Sequence, residues 1–185
     1  MNIIEERMKE HEAVFRATKA LAPAIAEAGD IIKTALQTGH KILFCGNGGS
    51  AADSQHLAAE IVGRFQKERR AFPAIALTVD TSVLTAVAND YGYETVFSRQ
   101  VQALGNEGDV LVGISTSGNS GNILAAIAEA RAKGMKVIGM TAIGGGKMKE
   151  LCDVILAVPA KTTARAQEMH IMIGHILCEI AEEDM

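Results

Sequence analysis

The sequence predicts an α/β fold: a doubly wound parallel sheet of five strands flanked by helices, preceded by an N-terminal helical arm. Three observations predict it. Short apolar segments at 41–45, 74–78, 110–114, 136–140 and 154–158 alternate with segments of helical character, the pattern of successive strand–helix–strand units. Those segments are continuously apolar rather than alternating, as expected of strands covered on both faces. Polar loops follow the first, third and fifth of them, at the strand ends where open α/β sheets bind ligands.

Residues 3–38 read as helix, with Ile4, Met8, Phe15, Leu21 and Ile25 at roughly helical spacing and charges between them. Pro23 breaks or kinks this segment, and Gly39 ends it. It precedes the first strand, so it is not a crossover helix. It either covers the sheet or pairs with another subunit, and two helices in one chain leave enough apolar face to favour the subunit contact.

The strand at 41–45 runs into Gly46-Asn47-Gly48-Gly49, a turn whose backbone can bend tightly and approach a ligand. Ser50 reads as the N-cap of the next helix, with Asp53 as the acidic half of a capping box. Free N–H groups at that helix start suit an anion. His56, Glu60 and Arg64 follow at i, i+4 and i+8, near one helix face. Lys67-Glu68-Arg69-Arg70 reads as a solvated turn before Pro73.

A second strand spans 74–78, a short helix 80–90, and another helix 94–104. The third strand, 110–114, leads into Ser115-Thr116-Ser117-Gly118-Asn119-Ser120 and a helix through Lys133. The fourth strand precedes a loop holding Gly144 to Gly146. The fifth is stopped by Pro159, and a long helix spans about 164–182.

The 185 residues suit one domain, 1–185, divided into an arm at 1–39 and an α/β core at 40–185. A net charge of −4 gives no reason to expect nucleic acid or an anionic membrane as partner. No apolar run reaches transmembrane length, and the N-terminus is too charged for a signal peptide. Cys45, Cys152 and Cys178 are an odd number without CxxC spacing. They read as reduced core thiols of a cytoplasmic protein.

The glycine turn loosely matches the dinucleotide pattern G-x-G-x-x-A. A dinucleotide site wants an acid about 20 residues on, at the end of the next strand, and Asp80 is too far along. The lysine of a phosphate loop is also absent. The third-strand loop is more informative. Ser115, Thr116, Ser117 and Ser120 put four hydroxyls in six residues before a helix N-terminus, where one cap needs only one hydroxyl. Together with backbone N–H groups they can hold a phosphate. No Lys or Arg lies in the loop, which suits a sugar phosphate.

His56 and Glu60, taken alone, are an ordinary helix-surface pair. Joined by His175 and Gln167 from the last helix, they offer two imidazoles, a carboxylate and an amide oxygen, donors that suit Zn²⁺ or a similar ion. Spacing leaves His170 and His175 both open. They lie about 140° apart around the helix, so only one can face the site. Gln167 and His175 are about 12 Å apart along the helix axis, a long reach for one ion.

Three stretches carry a family resemblance: CGNGGSAADSQHLAAEIVGRF, PAIALTVDTSVLTAVANDYGYETVFSRQVQALGNEGDVLVGISTSGNS and RAQEMHIMIGHILCEI. Over residues 40–180 the chain resembles the sugar isomerase (SIS) family, and within it the bacterial phosphoheptose isomerases. The resemblance implies a homotetramer with active sites at subunit contacts, and it gives the arm that role. It implies substrate contacts from Asn47, Gly48, Gly49, Asn89 and Asp90, with further contacts from Glu60 and Gln167. It assigns the phosphate to Ser115, Thr116, Ser117 and Ser120. His56, Glu60, Gln167 and His175 match the metal positions, with one Zn²⁺ per subunit, so the resemblance selects His175. Family members often carry a bulky aliphatic residue where this chain has Ala166, which loosens the seating of Gln167.

The reaction implied is aldose–ketose isomerisation of sedoheptulose 7-phosphate through a cis-enediol, the first step of ADP- or GDP-heptose biosynthesis. Glu60 is the carbon base, and His175 moves protons between the two oxygens. One rival is a non-catalytic SIS protein that binds the bacterial replication initiator or a sugar phosphate. The presence of both Glu60 and His175 argues for the enzyme.

Overall fold

The computed structural model describes residues 2–183. The helices are α1 (Ile3–Thr18), α2 (Ala22–Gln37), α3 (Gly49–Val62), α4 (Thr81–Tyr91), α5 (Ser98–Leu104), α6 (Gly121–Ala132) and α7 (Thr163–Glu182). The strands are β1 (Ile42–Gly46), β2 (Ala74–Ala76), β3 (Val110–Ile114), β4 (Lys136–Thr141) and β5 (Val154–Ala157). All pair in parallel, in the order β2-β1-β3-β4-β5. From β1 the chain crosses first to one side, then back to the other. The direction therefore switches between β1 and β3, and the loops after these two strands are neighbours, where ligands of such sheets bind.

Strand residues alternate between two apolar layers. Ile42, Phe44, Val110 and Val112 pack with Ile32 and Leu36 of α2, Leu57 and Ile61 of α3, and Ile173 and Leu177 of α7. Leu43, Cys45 and Leu111 pack on the other face with Val101 of α5 and with Ile123 and Ile127 of α6. Burial on both faces is why these strands carry unbroken apolar runs. Among the described residues, no helix is long and apolar enough to cross a membrane.

Local details depart from the sequence expectations. Ser50 does not cap α3. Gly48, at φ 57°, holds the cap position, and no side chain bonds the helix end. A Cβ on Gly46 would lie 2.4 Å from the Ser50 carbonyl oxygen. The turn is thus too tight for a separate cap residue, and Ser50 is buried in the first helical turn. Asp53 completes no capping box, and its Oδ2 is buried without a hydrogen-bond partner. The helix expected over 94–104 is split into a 3₁₀ turn, Tyr93–Thr95, and α5, because Val96 and Phe97 drop into the core between them. The break expected at Pro23 is present: a 3₁₀ turn, Lys19–Leu21, separates α1 from α2, and Pro23 sits in the first turn of α2, where its missing N–H costs nothing.

The arm divides in two. α2 covers its own sheet and packs on α7 so closely that a Cβ on Gly29 would lie 2.6 Å from Ile180. This half does not need another subunit to bury it. α1 is tied to α7 through His11 and Glu168, 2.7 Å apart, and through Arg165 donating to the Arg7 carbonyl, yet it leaves Ile3, Ile4 and Met8 exposed.

The turn at 67–70 is not uniformly solvated. Arg69 is only 4 % exposed and pairs with Glu182, 2 % exposed, at 2.8 Å. Burial pushes the Glu182 carboxyl up, but the N–H groups of Lys67, Phe65 and Gln66, with the Arg69 charge, outweigh it and hold the group below its ordinary range. Asp109 and Asp153 are depressed in the same way. Burial is outweighed by N–H donors and by Lys41 at Asp109, and by Val137 N–H, Lys136 and Arg131 at Asp153. Each folded-state pKa lies below the unfolded one, so the unfolded chain binds more protons as acid is added. The stabilisation is complete above the ordinary carboxylate values of 3.8 and 4.5. It is lost as pH falls through the folded values. The carboxylates alone are expected to hold the melting temperature level down to about pH 5 and to lower it below that, while the buried His170, whose folded pKa lies below its ordinary 6.5, begins to lower it as pH falls through about 6.5. A flat profile down to pH 3 in thermal scans would contradict these assignments.

Candidate active site

The site is assembled from the two loops at the switch point and from the facing sides of α3 and α7. Gly48 turns its backbone toward open space, where an added Cβ would meet nothing within 4 Å. Gly49 lies under the Gln167 side chain, and a Cβ there would sit 2.5 Å from Gln167 Nε2. A larger residue at 49 would displace the amide.

Asn47 is already engaged. Its Nδ2 donates to Asn122 Oδ1 at 2.9 Å, and Asn122 Nδ2 donates back to its Oδ1 at 2.8 Å. Tyr93 Oη donates to the same Asn47 oxygen at 3.3 Å. The reciprocal amide pair ties the glycine turn to the first turn of α6. Neither Asn122 nor Tyr93 was singled out from the sequence. The one signal for Asn122 is a buried polar residue two positions into a helix that follows a ligand loop.

In the third-strand loop, Ser115 Oγ lies 2.9 Å from Ser120 Oγ and 3.3 Å from Ser117 Oγ. Ser120 occupies the N-cap position of α6, yet its hydroxyl makes no capping bond. The hydroxyls therefore gather with one another at an uncapped helix start, which suits an anion. Ser117 also accepts from the Asn119 N–H at 3.1 Å, and the Thr116 carbonyl accepts from Ala142 N. The loop rests on the glycine run after β4, where a Cβ on Gly146 would lie 2.5 Å from the Ser117 carbonyl.

α3 and α7 bring the titratable groups together. Gly174 allows the approach, since a Cβ there would lie 2.5 Å from Leu57 Cδ2. His56 Nε2 is then 3.0 Å from His175 Nε2 and 3.2 Å from Glu60 Oε1. Phe65 stacks on the His175 ring, with centroids 5.2 Å apart and planes at 17°. The choice that spacing leaves open is decided here. His170 is buried, with Nε2 3.0 Å from the Thr141 carbonyl oxygen. Burial lowers its pKa, partly offset by that bond, so it is a neutral core histidine.

Asn89 and Asp90 lie exposed at the end of α4, hydrogen-bonded to each other at 2.9 Å. The nearest link from this corner to the glycine turn is Tyr93. Gln167 sits over the glycine turn, two helical turns before His175 on α7.

His56 Nε2, 3.0 Å from His175 Nε2 and 3.2 Å from Glu60 Oε1, brings together imidazole and carboxylate donors of the kind that bind Zn²⁺. Among the described residues, however, no group of three or more His, Cys, Asp and Glu side chains is arranged to hold a metal ion. The His56–His175 contact is a hydrogen bond between one donor and one acceptor nitrogen, so as placed the two imidazoles face each other and not an ion.

A hydroxyl loop and a glycine turn side by side at the switch point of this five-stranded sheet define a protein of the SIS class. The SIS domain model matches residues 8–142, and the chain belongs to that family. Within it the relatives are phosphoheptose isomerases. The chain is 54 % identical to phosphoheptose isomerase 1 of Campylobacter jejuni over 183 residues, 99 % of this chain and 98 % of that one. It is 59 % identical to the phosphoheptose isomerase of Rhodospirillum rubrum over 162 residues, 88 % and 86 % of the two chains. The solved phosphoheptose isomerase of Neisseria gonorrhoeae superposes with a TM-score of 0.92 at 44 % identity, covering 97 % of each chain. That of Francisella tularensis does so at 0.91 and 40 %, covering 100 % of each.

Proposed function

We infer that this chain is an aldose–ketose isomerase of phosphoheptoses, converting sedoheptulose 7-phosphate into D-glycero-D-manno-heptose 7-phosphate for heptose biosynthesis. The observation that carries the reading is His56 in contact with both the His175 imidazole and the Glu60 carboxylate, on the helix that begins at the glycine turn. The binding-only alternative has no use for that contact.

Ser115, Thr116, Ser117 and Ser120 hold the phosphate, with the N-terminus of α6 behind them. Gly48 leaves room for the sugar to lie against the backbone, and Gln167 reaches it from above the turn. Glu60 removes a proton from C1 of the ketose, and the electron pair moves to give an enediolate across C1 and C2. A proton then returns to C2. His175 carries a proton between the two oxygens, so that the C2 ketone becomes a hydroxyl and the C1 hydroxyl an aldehyde. One Zn²⁺ per subunit belongs to this proposal, held by His56, Glu60 and His175 with Gln167 as the further donor. Bound there, it would supply positive charge for the developing enediolate. Subunits assemble as a tetramer, which would cover the apolar residues of α1, and three free thiols fit a cytoplasmic setting.

Isomerisation in D₂O tests the proton step. Proton NMR of the sugar is expected to show enzyme-dependent deuterium at C1 and C2, and a ketose recovered without any label after turnover would rule out exchange at an enediol. The phosphate loop is tested separately. The double variant Ser115→Ala/Ser120→Ala removes two hydroxyls facing a dianion, each worth about 1.5–3 kcal/mol. It is expected to raise KM at least about tenfold while leaving the fold intact. An unchanged KM would move the phosphate elsewhere.

A further inference from the structure

We propose that Phe65 is a positioning residue for His175, and that Glu182, at the far end of α7, holds Phe65 in place. The functional half of this proposal rests on His175 being the proton carrier; the packing half does not.

After α3 ends, the chain must cross about ten residues of irregular backbone before β2. Three consecutive N–H groups of that crossing point at one carboxylate. Phe65 N donates to Glu182 Oε1 at 2.7 Å, and Gln66 N and Lys67 N donate to Oε2 at 2.9 Å each. Arg69 Nε adds a fourth donor at 2.8 Å. A carboxylate has about four acceptor positions, so the buried Glu182 is saturated by this segment alone. The Arg69 guanidinium lies 4.4 Å over the Phe72 ring, and its Nη2 donates to the Glu60 carbonyl at 3.1 Å. One node thus fixes both the loop that carries Phe65 and the last turn of α3 that carries Glu60.

Glu182 follows His175 by seven residues, two helical turns, so the two lie on nearly the same face of α7. The helix that presents the imidazole also anchors the loop that covers it. The consequence is orientational. Rotation of a half-exposed imidazole about its terminal torsion is broad and roughly two-fold. Contact with His56 needs Nε2, and not a ring carbon, on the His56 side. A flat ring stacked on the imidazole face restricts that rotation. A branched aliphatic side chain of similar volume fills the space without imposing a plane.

The test compares Phe65→Leu, Phe65→Tyr and Glu182→Asp with the parent. The last keeps the charge beside Arg69 but shortens its reach. Phe65→Leu is expected to lower kcat about tenfold with KM within about twofold, the pattern of lost alignment rather than lost binding. Tyrosine is expected to restore kcat, and the Leu and Tyr variants to melt alike. Independently of turnover, the ring protons of His175, assigned by their loss in His175→Gln, sit over an aromatic face and resonate upfield. They are expected to move downfield and broaden in Phe65→Leu, and to move in the same direction in Glu182→Asp. Unchanged kcat and unchanged His175 signals in Phe65→Leu would overturn the proposal. So would a loss that tracks melting temperature and is not rescued by tyrosine. Stationary His175 signals in Glu182→Asp would overturn the role of Glu182. A parent that turns over no heptose phosphate would defeat the isomerase reading instead, and the NMR comparison would still decide the positioning.

Discussion

Glu60→Gln is expected to lower kcat for sedoheptulose 7-phosphate by at least about a hundredfold, the usual scale for loss of a general base. The substitution keeps the shape of the side chain and a hydrogen-bonding partner for His56, 3.2 Å away, but removes the basic oxygen. The backbone at Glu60 is pinned through its carbonyl by Arg69, so the main chain has no reason to move. KM is expected to change little, because the phosphate is held by a different loop. Deuterium exchange at C1 should fall with kcat, since both need the same proton removed. A variant that keeps a tenth or more of parental kcat would place the base elsewhere.

Arg69→Met is expected to cost about 3–5 kcal/mol, the scale for removing one partner of a buried ion pair. That is a large share of a total stability of about 5–15 kcal/mol. Methionine keeps much of the apolar stem against Phe72 but leaves the Glu182 charge buried with backbone donors only. Urea denaturation should show a lower midpoint at unchanged slope. The double variant Arg69→Met/Glu182→Leu should recover part of the loss, because apolar replacement of a whole buried pair is often neutral or better. A loss under about 1 kcal/mol would be that of an exposed pair and would contradict the burial seen here.

This pair also marks where sequence reading stops. Lys67-Glu68-Arg69-Arg70 looks like a solvated turn because nothing local distinguishes Arg69. Its partner lies 113 residues away, and only the packing of α7 against α3 brings them together. The same limit applies to His170 and His175. Their spacing shows that only one can face α3, but the choice is made by Gly174 against Leu57, a contact between distant segments. Ser50 carried a sound local capping pattern, which the tight turn at Gly46 overrode. The strands announce themselves by unbroken apolar runs because both faces are covered. Ser115 to Ser120 stands out because it holds more hydroxyls than a cap uses. The arm was half legible, since periodicity shows that a face is apolar but not what covers it. α2 covers its own sheet, while α1 keeps Ile3, Ile4 and Met8 exposed.

The most direct measurement of the central claim is turnover of sedoheptulose 7-phosphate labelled with ¹³C at C2, followed by NMR with the Zn²⁺-supplemented protein. The account predicts that the ketose C2 signal declines and the signal of a protonated C2 carbon of the aldose replaces it. A folded, Zn²⁺-supplemented protein that leaves the ketose signal unchanged would contradict it.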